Sequence, residues 1–222
     1  MAMISPSANE TARHAMVASQ LRTNAVSDAR VVAAMSDVPR EDFVGASNEA
    51  LAYRDTPLRL AGGRMQNSPL ATGRLLTEAQ IDPGDSVLLI GAAGGYTAAV
   101  LARLAAKVVA VEGDSVLAGE ARANLAGIGT VTLVEGELAA GAPDGAPYDV
   151  LIVDGAVDCL PEALIDQLRS GGRVASGIIE RGVTRLATGV KSAGGFGLAA
   201  FADVDCVVLP GFAAPRAFSF PG

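Results

Sequence analysis

One histidine (His14), two cysteines (Cys159 and Cys206) and two lysines (Lys107 and Lys191) are all that the 222 residues hold of those three types. A single histidine leaves no His-rich metal site, and no Ser-His-Asp or Cys-His chemistry unless His14 itself supplies it. Its place near the amino terminus reads as a plain surface side chain. Two cysteines are too few for a disulfide framework, and buried free thiols in a reducing cytoplasm are the expectation. With so few lysines, the fifteen arginines are scattered and form no polybasic segment for a membrane surface. The balance of 17 basic against 24 acidic residues, a formal charge of −7, lacks the electrostatic footprint of a polyanion binder. Nucleic acid and membrane therefore drop out as expected partners. No apolar run approaches the ~18 residues of a membrane span, and the first residues lack a positive end followed by an apolar core. A soluble, cytoplasmic protein is expected. Charged residues make up only 18% and hydrophobic ones 50%, enough to bury one full core with elaborations around it.

Along the chain, Thr11 to Arg22 and Asp28 to Met35 read as helices, the second opened by Ser27-Asp28 and stopped before Pro39. Pro39 to Phe43 starts a further turn, and Tyr53 to Gly63 is a Pro- and Gly-punctuated loop leading into Met65-Gln-Asn-Ser-Pro69. A helix from Pro69 to Gln80 follows, with proline in its first turn. From Asp85 the pattern alternates strand and helix, as in a parallel sheet covered on both faces. Strands are expected at 86–90, 108–112, 130–134, 149–153 and 173–178, with helices at 96–105, 115–127 and 161–168. Thr184 to Val190 and Gly197 to Leu209 look like closing antiparallel strands. This divides the chain into an extension with a substrate loop, 1–84, and a sheet-building core, 85–222.

The most informative segment is Val87-Leu-Leu-Ile-Gly-Ala-Ala-Gly-Gly-Tyr96 followed by Val108-Val-Ala-Val-Glu112. An apolar run, a glycine-rich turn, an alanine-rich helix and a second apolar run ending in an acid read as the first βαβ unit of a nucleotide-binding α/β domain. Glu112 follows Gly91 by about 20 residues, the spacing at which a carboxylate takes hydrogen bonds from ribose hydroxyls. The dinucleotide pattern Gly-x-Gly-x-x-Gly is broken by Ala93, and no phosphate loop with Gly-Lys-Ser/Thr is present. A Tyr-x-x-x-Lys reductase pair is absent too: four residues after the tyrosines stand Pro57, Val100 and Ile152. S-adenosylmethionine, which carries no phosphate, is the remaining common user of such a turn. For the turn alone, helix-to-strand packing explains the glycines equally well; Glu112 favours a ligand.

Beyond that turn, Met16-Val-Ala-Ser-Gln-Leu-Arg22, Val38-Pro-Arg-Glu-Asp-Phe-Val44, Ala52-Tyr-Arg-Asp-Thr-Pro-Leu58, Gly95-Tyr-Thr-Ala-Ala-Val-Leu-Ala102, Ala163-Leu-Ile-Asp-Gln-Leu168 and Gly171-Gly-Arg173 occur in an order and spacing that resembles the protein-L-isoaspartate O-methyltransferases. The resemblance covers roughly Thr11 to Gly177. It implies an α/β fold, a Rossmann-like S-adenosylmethionine-dependent methyltransferase sheet with an N-terminal helical extension that helps close the active site. It also implies the methylation of isoaspartyl carboxylates in proteins or peptides, a repair reaction.

Carried over by position, the resemblance assigns cofactor contacts to Gly91, Ala93 and Gly95 of the turn, to Glu112 at the ribose and to Glu137 near the adenine. Asn67 stands where the family has its active-site serine, with Ser68 one residue on, and these two are the expected substrate-orienting pair. Further departures are Leu89 for the strand-one acid and Asp154 where the family carries a small or hydroxyl residue. Asp154 reads either as a partner for the cofactor ammonium or as a turn residue before Gly155. Arg54 and Asp55 read as a surface ion pair or as the substrate entrance, and Gln167 and Arg173 as structural. The departures leave two alternatives open, a catalytically silent relative acting as a binding protein and a methyltransferase with a different acceptor.

Overall fold

The structure, a computed structural model, describes residues 7–213. Five parallel strands form its spine: β3 (Ser86–Ile90), β4 (Lys107–Glu112), β5 (Val131–Glu135), β6 (Tyr148–Val157) and β7 (Leu168–Glu180). Antiparallel β8 (Val183–Val190) and β9 (Ala199–Ala202) extend one edge, giving the order β5-β4-β3-β6-β7-β8-β9. A separate two-stranded hairpin pairs β1 (Leu58–Arg59) with β2 (Met65–Gln66). This is an α/β, Rossmann-like arrangement, as the alternation in the sequence predicts.

Apolar runs rather than alternating patterns mark the central strands because both faces are covered. Val87, Leu89, Val108, Ala110, Val150 and Ile152 enter one hydrophobic cluster. Their neighbours Leu88, Ile90, Val109, Val111, Leu151 and Val153 point to the other. The first face carries α1 (Ala8–Met16), α2 (Ala29–Asp37), α3 (Pro69–Glu78), α4 (Tyr96–Leu101) and α5 (Ser115–Asn124); the second carries the short α6 (Glu162–Asp166). Leu89 is fully buried in the first face, so the position where the resemblance implies an acid is here a core position.

The helix starts follow their capping residues. Asp28 accepts the N–H groups of Arg30 and Val31, and Asp114 those of Val116 and Leu117. The expected helix 11–22 is instead α1 followed by a π-helical turn at Val17–Leu21 and a 3-10 turn at Arg22–Asn24. Near the other end only Ala199–Ala202 of the expected strand 197–209 pairs within the sheet. Residues 207–209 lie alongside Ala156 instead, through Ala156 N–H to Val207 O at 2.6 Å and Leu209 N–H to Ala156 O at 2.9 Å. His14 is exposed, as expected; of the two free cysteines only Cys206 is buried, and Cys159 is exposed. No helix among the described residues is long and apolar enough to cross a membrane.

Candidate active site

The strand order reverses at β3, because the chain moves to β4 on one side of it and to β6 on the other. Open α/β sheets bind ligands in the crevice at the carboxyl ends of strands at such a point. The glycine turn emerges there, its start fixed by the N–H groups of Gly91 and Ala92, both donating to Val111 O at 3.0 Å. Gly91, Ala93 and Gly95 all have positive φ, of 84°, 49° and 100°.

A cleft of about 750 Å³ opens beside this turn, lined among others by Gly62, Arg64, Met65, Asp114, Glu137 and Leu209. That volume suits a ligand of nucleoside size. Glu137, expected near an adenine, lies exposed on this cleft. Glu112, at the end of β4, is fully buried, and its carboxylate accepts five hydrogen bonds. Oε1 takes the N–H groups of Gly113 at 2.9 Å and Asp114 at 3.0 Å, and Oε2 that of Ala93 at 2.7 Å. Arg64 supplies the other two, Nη1 to Oε1 at 2.6 Å and Nη2 to Oε2 at 3.3 Å. Nothing in the local sequence singled out Arg64; the only signal is a cation directly after the Gly62-Gly63 pair.

The glycines divide by role. A side chain at Gly94 would collide with the Phe43 carbonyl, and one at Gly95 would press on Leu125, so these two seat α4 against its neighbours. Gly95 thus has a packing reason to be glycine beside its expected place in the cofactor turn. Gly91 is buried under the Leu209 side chain, which lies 3.1 Å from where a Cβ would be, with Arg64 Nη2 at 3.8 Å.

A second cluster adjoins the turn. Asp154 is not a turn residue: it sits in a bulge of β6, where the register against β7 shifts between Val153 and Ala156. Its Oδ1 accepts from Asn67 Nδ2 at 2.8 Å and Thr72 Oγ1 at 3.4 Å, and its Oδ2 from Thr97 Oγ1 at 2.5 Å. The expected ammonium partner is thus turned inward to three side-chain donors. Asn67 is 1% exposed, and its amide oxygen accepts the Val207 N–H at 2.8 Å. That corrects the expectation that Asn67 offers its amide to substrate: the amide instead ties the 207–209 segment to Asp154. Ser68 likewise caps α3, its Oγ accepting the Ala71 N–H at 3.3 Å. Asp55, in place of a pair with Arg54, accepts the preceding N–H of that helix, from Leu70, at 3.2 Å.

Arg40 is a contributor that carries no signal of its own in the sequence. It is fully buried, donates from Nη2 to Asn67 O at 2.6 Å and lies 4.7 Å from the Tyr96 ring centre. Burial depresses its guanidinium and pushes the Tyr96 phenol up to about 12. The Arg40 N–H also donates to Tyr53 Oη at 3.2 Å, so the Val38–Val44 and Ala52–Leu58 segments meet in space. Gln167 is structural, as expected, bonding the backbone of Ala140, Ala142 and Ala163.

The site fits a nucleoside-bearing cofactor in its cleft and its strand-end acid, on condition that Arg64 leaves the acid. Comparison with known proteins gives the family and the fold. The family model described as Protein-L-isoaspartate(D-aspartate) O-methyltransferase (PCMT) matches residues 11–209. The protein-L-isoaspartate O-methyltransferase of Methanoculleus marisnigri is 40% identical over 184 residues, covering 82% of this chain and 84% of the relative. That of Koribacter versatilis is 41% identical over 164 residues, covering 73% and 74%. A solved protein-L-isoaspartate O-methyltransferase superposes with a TM-score of 0.77 at 26% identity, covering 91% of this chain and 66% of the other. A Plasmodium falciparum beta-aspartate methyltransferase (PCMT) structure in complex with S-adenosyl-L-homocysteine shows the same fold, with a TM-score of 0.73 at 18% identity over 92% and 99%. From its glycine turn and strand-end acid to the extent of these matches, the chain belongs to the protein-L-isoaspartate(D-aspartate) O-methyltransferase family.

Proposed function

We propose that this chain methylates the side-chain carboxylate of isoaspartyl residues in proteins or peptides, using S-adenosylmethionine held in the crevice at the carboxyl ends of β3, β4 and β6. The observation that carries the proposal is Glu112, a buried acid at the end of β4 beside the Gly91 turn, in a chain 40% identical to enzymes of that name. In this reading, which keeps the division after residue 84, residues 85–213 form the cofactor-binding sheet and residues 7–84 cover it; the outer ends of the expected parts 1–84 and 85–222 lie outside the described residues. Glu112 takes the ribose hydroxyls, the turn from Gly91 to Ala93 faces the methionyl part, and Glu137 with Leu138 lies by the adenine. Asn67 and Ser68 act by positioning: the first fixes the 207–209 segment and the second fixes α3.

When bound, the cofactor supplies a methyl group activated on a sulfonium. The acceptor carboxylate is already ionised at pH 7, so no side chain has to remove a proton. The protein's work is alignment and exclusion of water, and proximity can supply ~7 to 11 kcal/mol of the barrier. Free thiols and acidic net charge support a cytoplasmic protein acting on proteins rather than on nucleic acid or membrane.

The test is transfer of labelled methyl to an isoaspartyl peptide and to its normal aspartyl counterpart. Label on the isoaspartyl peptide alone is the expected result. Label on neither, in a sample that binds S-adenosylhomocysteine, rejects the acceptor assignment.

A further inference from the structure

Arg64 and a ribose cannot hold Glu112 together. The carboxylate has about four lone-pair positions, and the structure already directs five donors at it, three from the backbone and two from Arg64. The backbone donors of Ala93, Gly113 and Asp114 are fixed by the turn and by the end of β4, so the only donor group that can leave is the guanidinium. That group is a two-pronged, charge-matched partner for the acid. Its Nη2 also lies 3.8 Å from where a Gly91 Cβ would be, next to the Leu209 side chain that packs there at 3.1 Å.

The segment that carries Arg64 is a short hairpin tip with two glycines beside the arginine. Arg64 closes the tip of the β1–β2 hairpin, with Arg64 N–H donating to Ala61 O at 3.1 Å and Leu60 N–H to Arg64 O at 2.8 Å. Just before it stand Gly62 and Gly63, both left-handed at φ 62° and 76°. Two adjacent glycines in that region swing between backbone states that side-chain-bearing residues resist. The hairpin of two residues a side is held by few backbone bonds.

We propose that Arg64 is a latch on the cofactor crevice: its guanidinium and the cofactor's ribose hydroxyls compete for the Glu112 carboxylate, and entry of the cofactor requires the β1–β2 tip to swing off. The proposal rests on reading Glu112 as the ribose acid. The latch lowers the apparent affinity for the cofactor by the fraction of molecules that are unlatched, and it keeps the buried acid paired whenever the nucleoside is absent.

The experiment is calorimetric titration with S-adenosylhomocysteine of the native chain, Arg64→Gln, Arg64→Ala and the double variant Arg64→Gln/Glu112→Gln, with thermal midpoints for each. Both Arg64 variants are expected to bind about tenfold or more tighter than the native chain. Their midpoints without ligand should fall, and their rise on adding ligand should exceed the native one. Arg64→Gln keeps a donor for Glu112 and so gives a folded variant if Arg64→Ala does not. Unchanged or weaker binding in the Arg64 variants overturns the latch. The double variant tests the underlying assignment in a background where the latch cannot mask it. If it binds as tightly as Arg64→Gln, Glu112 is not the ribose acid and the reading beneath the proposal fails. If it binds about tenfold or more weakly, the assignment stands.

Discussion

Ala93 stands in the left-handed region at φ 49°, where a methyl group is crowded and costs ~1 to 2 kcal/mol. It is held there because its N–H serves Glu112. Ala93→Gly is therefore expected to raise the unfolding free energy by about 1 kcal/mol, seen as a higher urea midpoint with unchanged slope. Asp154 makes the opposite case. Three buried donors converge on it, from Asn67, Thr72 and Thr97. Asp154→Ala would leave all three without their acceptor and is expected to cost about 3 kcal/mol, read in the same denaturation experiment. A loss under about 1 kcal/mol would mean those donors find other partners. Glu112 was legible in the sequence because its spacing from the turn is set by one strand-helix-strand unit. Arg64, which now holds it, was not, because the two lie far apart in the chain and meet only through folding.

At the level of elements, α3 gives Ser68, expected to orient substrate, a capping role as well. Ser68 and Asp55 together take the N–H groups of Ala71 and Leu70, two of the donors a helix start leaves unpaired. Ser68→Ala is expected to lower stability by about 1 kcal/mol with kcat unchanged. A fall in kcat at unchanged stability would put the hydroxyl on the substrate instead. The 207–209 segment depends on Asn67 through its N–H bond to the amide oxygen. Asn67→Ala removes that anchor, so chymotrypsin should cleave near Leu209 and Phe212, both buried in the native protein, faster than in the native chain. An unchanged cleavage rate would mean the segment is held by Ala156 alone.

Over the whole molecule, helices of the amino-terminal extension and one face of the sheet share a single hydrophobic cluster, in which Met16, Leu21, Met35 and Leu75 join Val87, Leu89 and Ile152. The chemistry of buried groups follows from that packing. Burial pushes the Cys206 thiol up to about 12 from its ordinary 9.0, while Cys159 is exposed. A thiol reagent at pH 8 should therefore titrate one of the two cysteines in the folded protein and both after unfolding. Cys206 and Tyr96 both have folded values raised above their unfolded ones, and burial favours the protonated forms. Their contribution to stability is fully present below about 9 and is lost as pH rises towards about 12, because the unfolded chain gives up these protons first. The thermal midpoint should accordingly hold near neutral pH and fall across that alkaline window.

The sequence by itself determined the periodic parts. The apolar runs at 86–90 and 108–112, the cap at Asp28, the proline at the start of α3 and the spacing from Gly91 to Glu112 are local patterns, and local sterics and hydrogen bonding settle them. Only the tertiary structure decided what those residues touch. Asp154 was ambiguous until the β6 bulge turned it towards Thr97; Asn67 until Val207 arrived from 140 positions away; and Glu112 until Arg64 folded across the crevice. Each of those outcomes is a competition among donors for a buried acceptor. Such a competition is decided by which groups the packed chain brings within reach, a property that no window along the sequence contains.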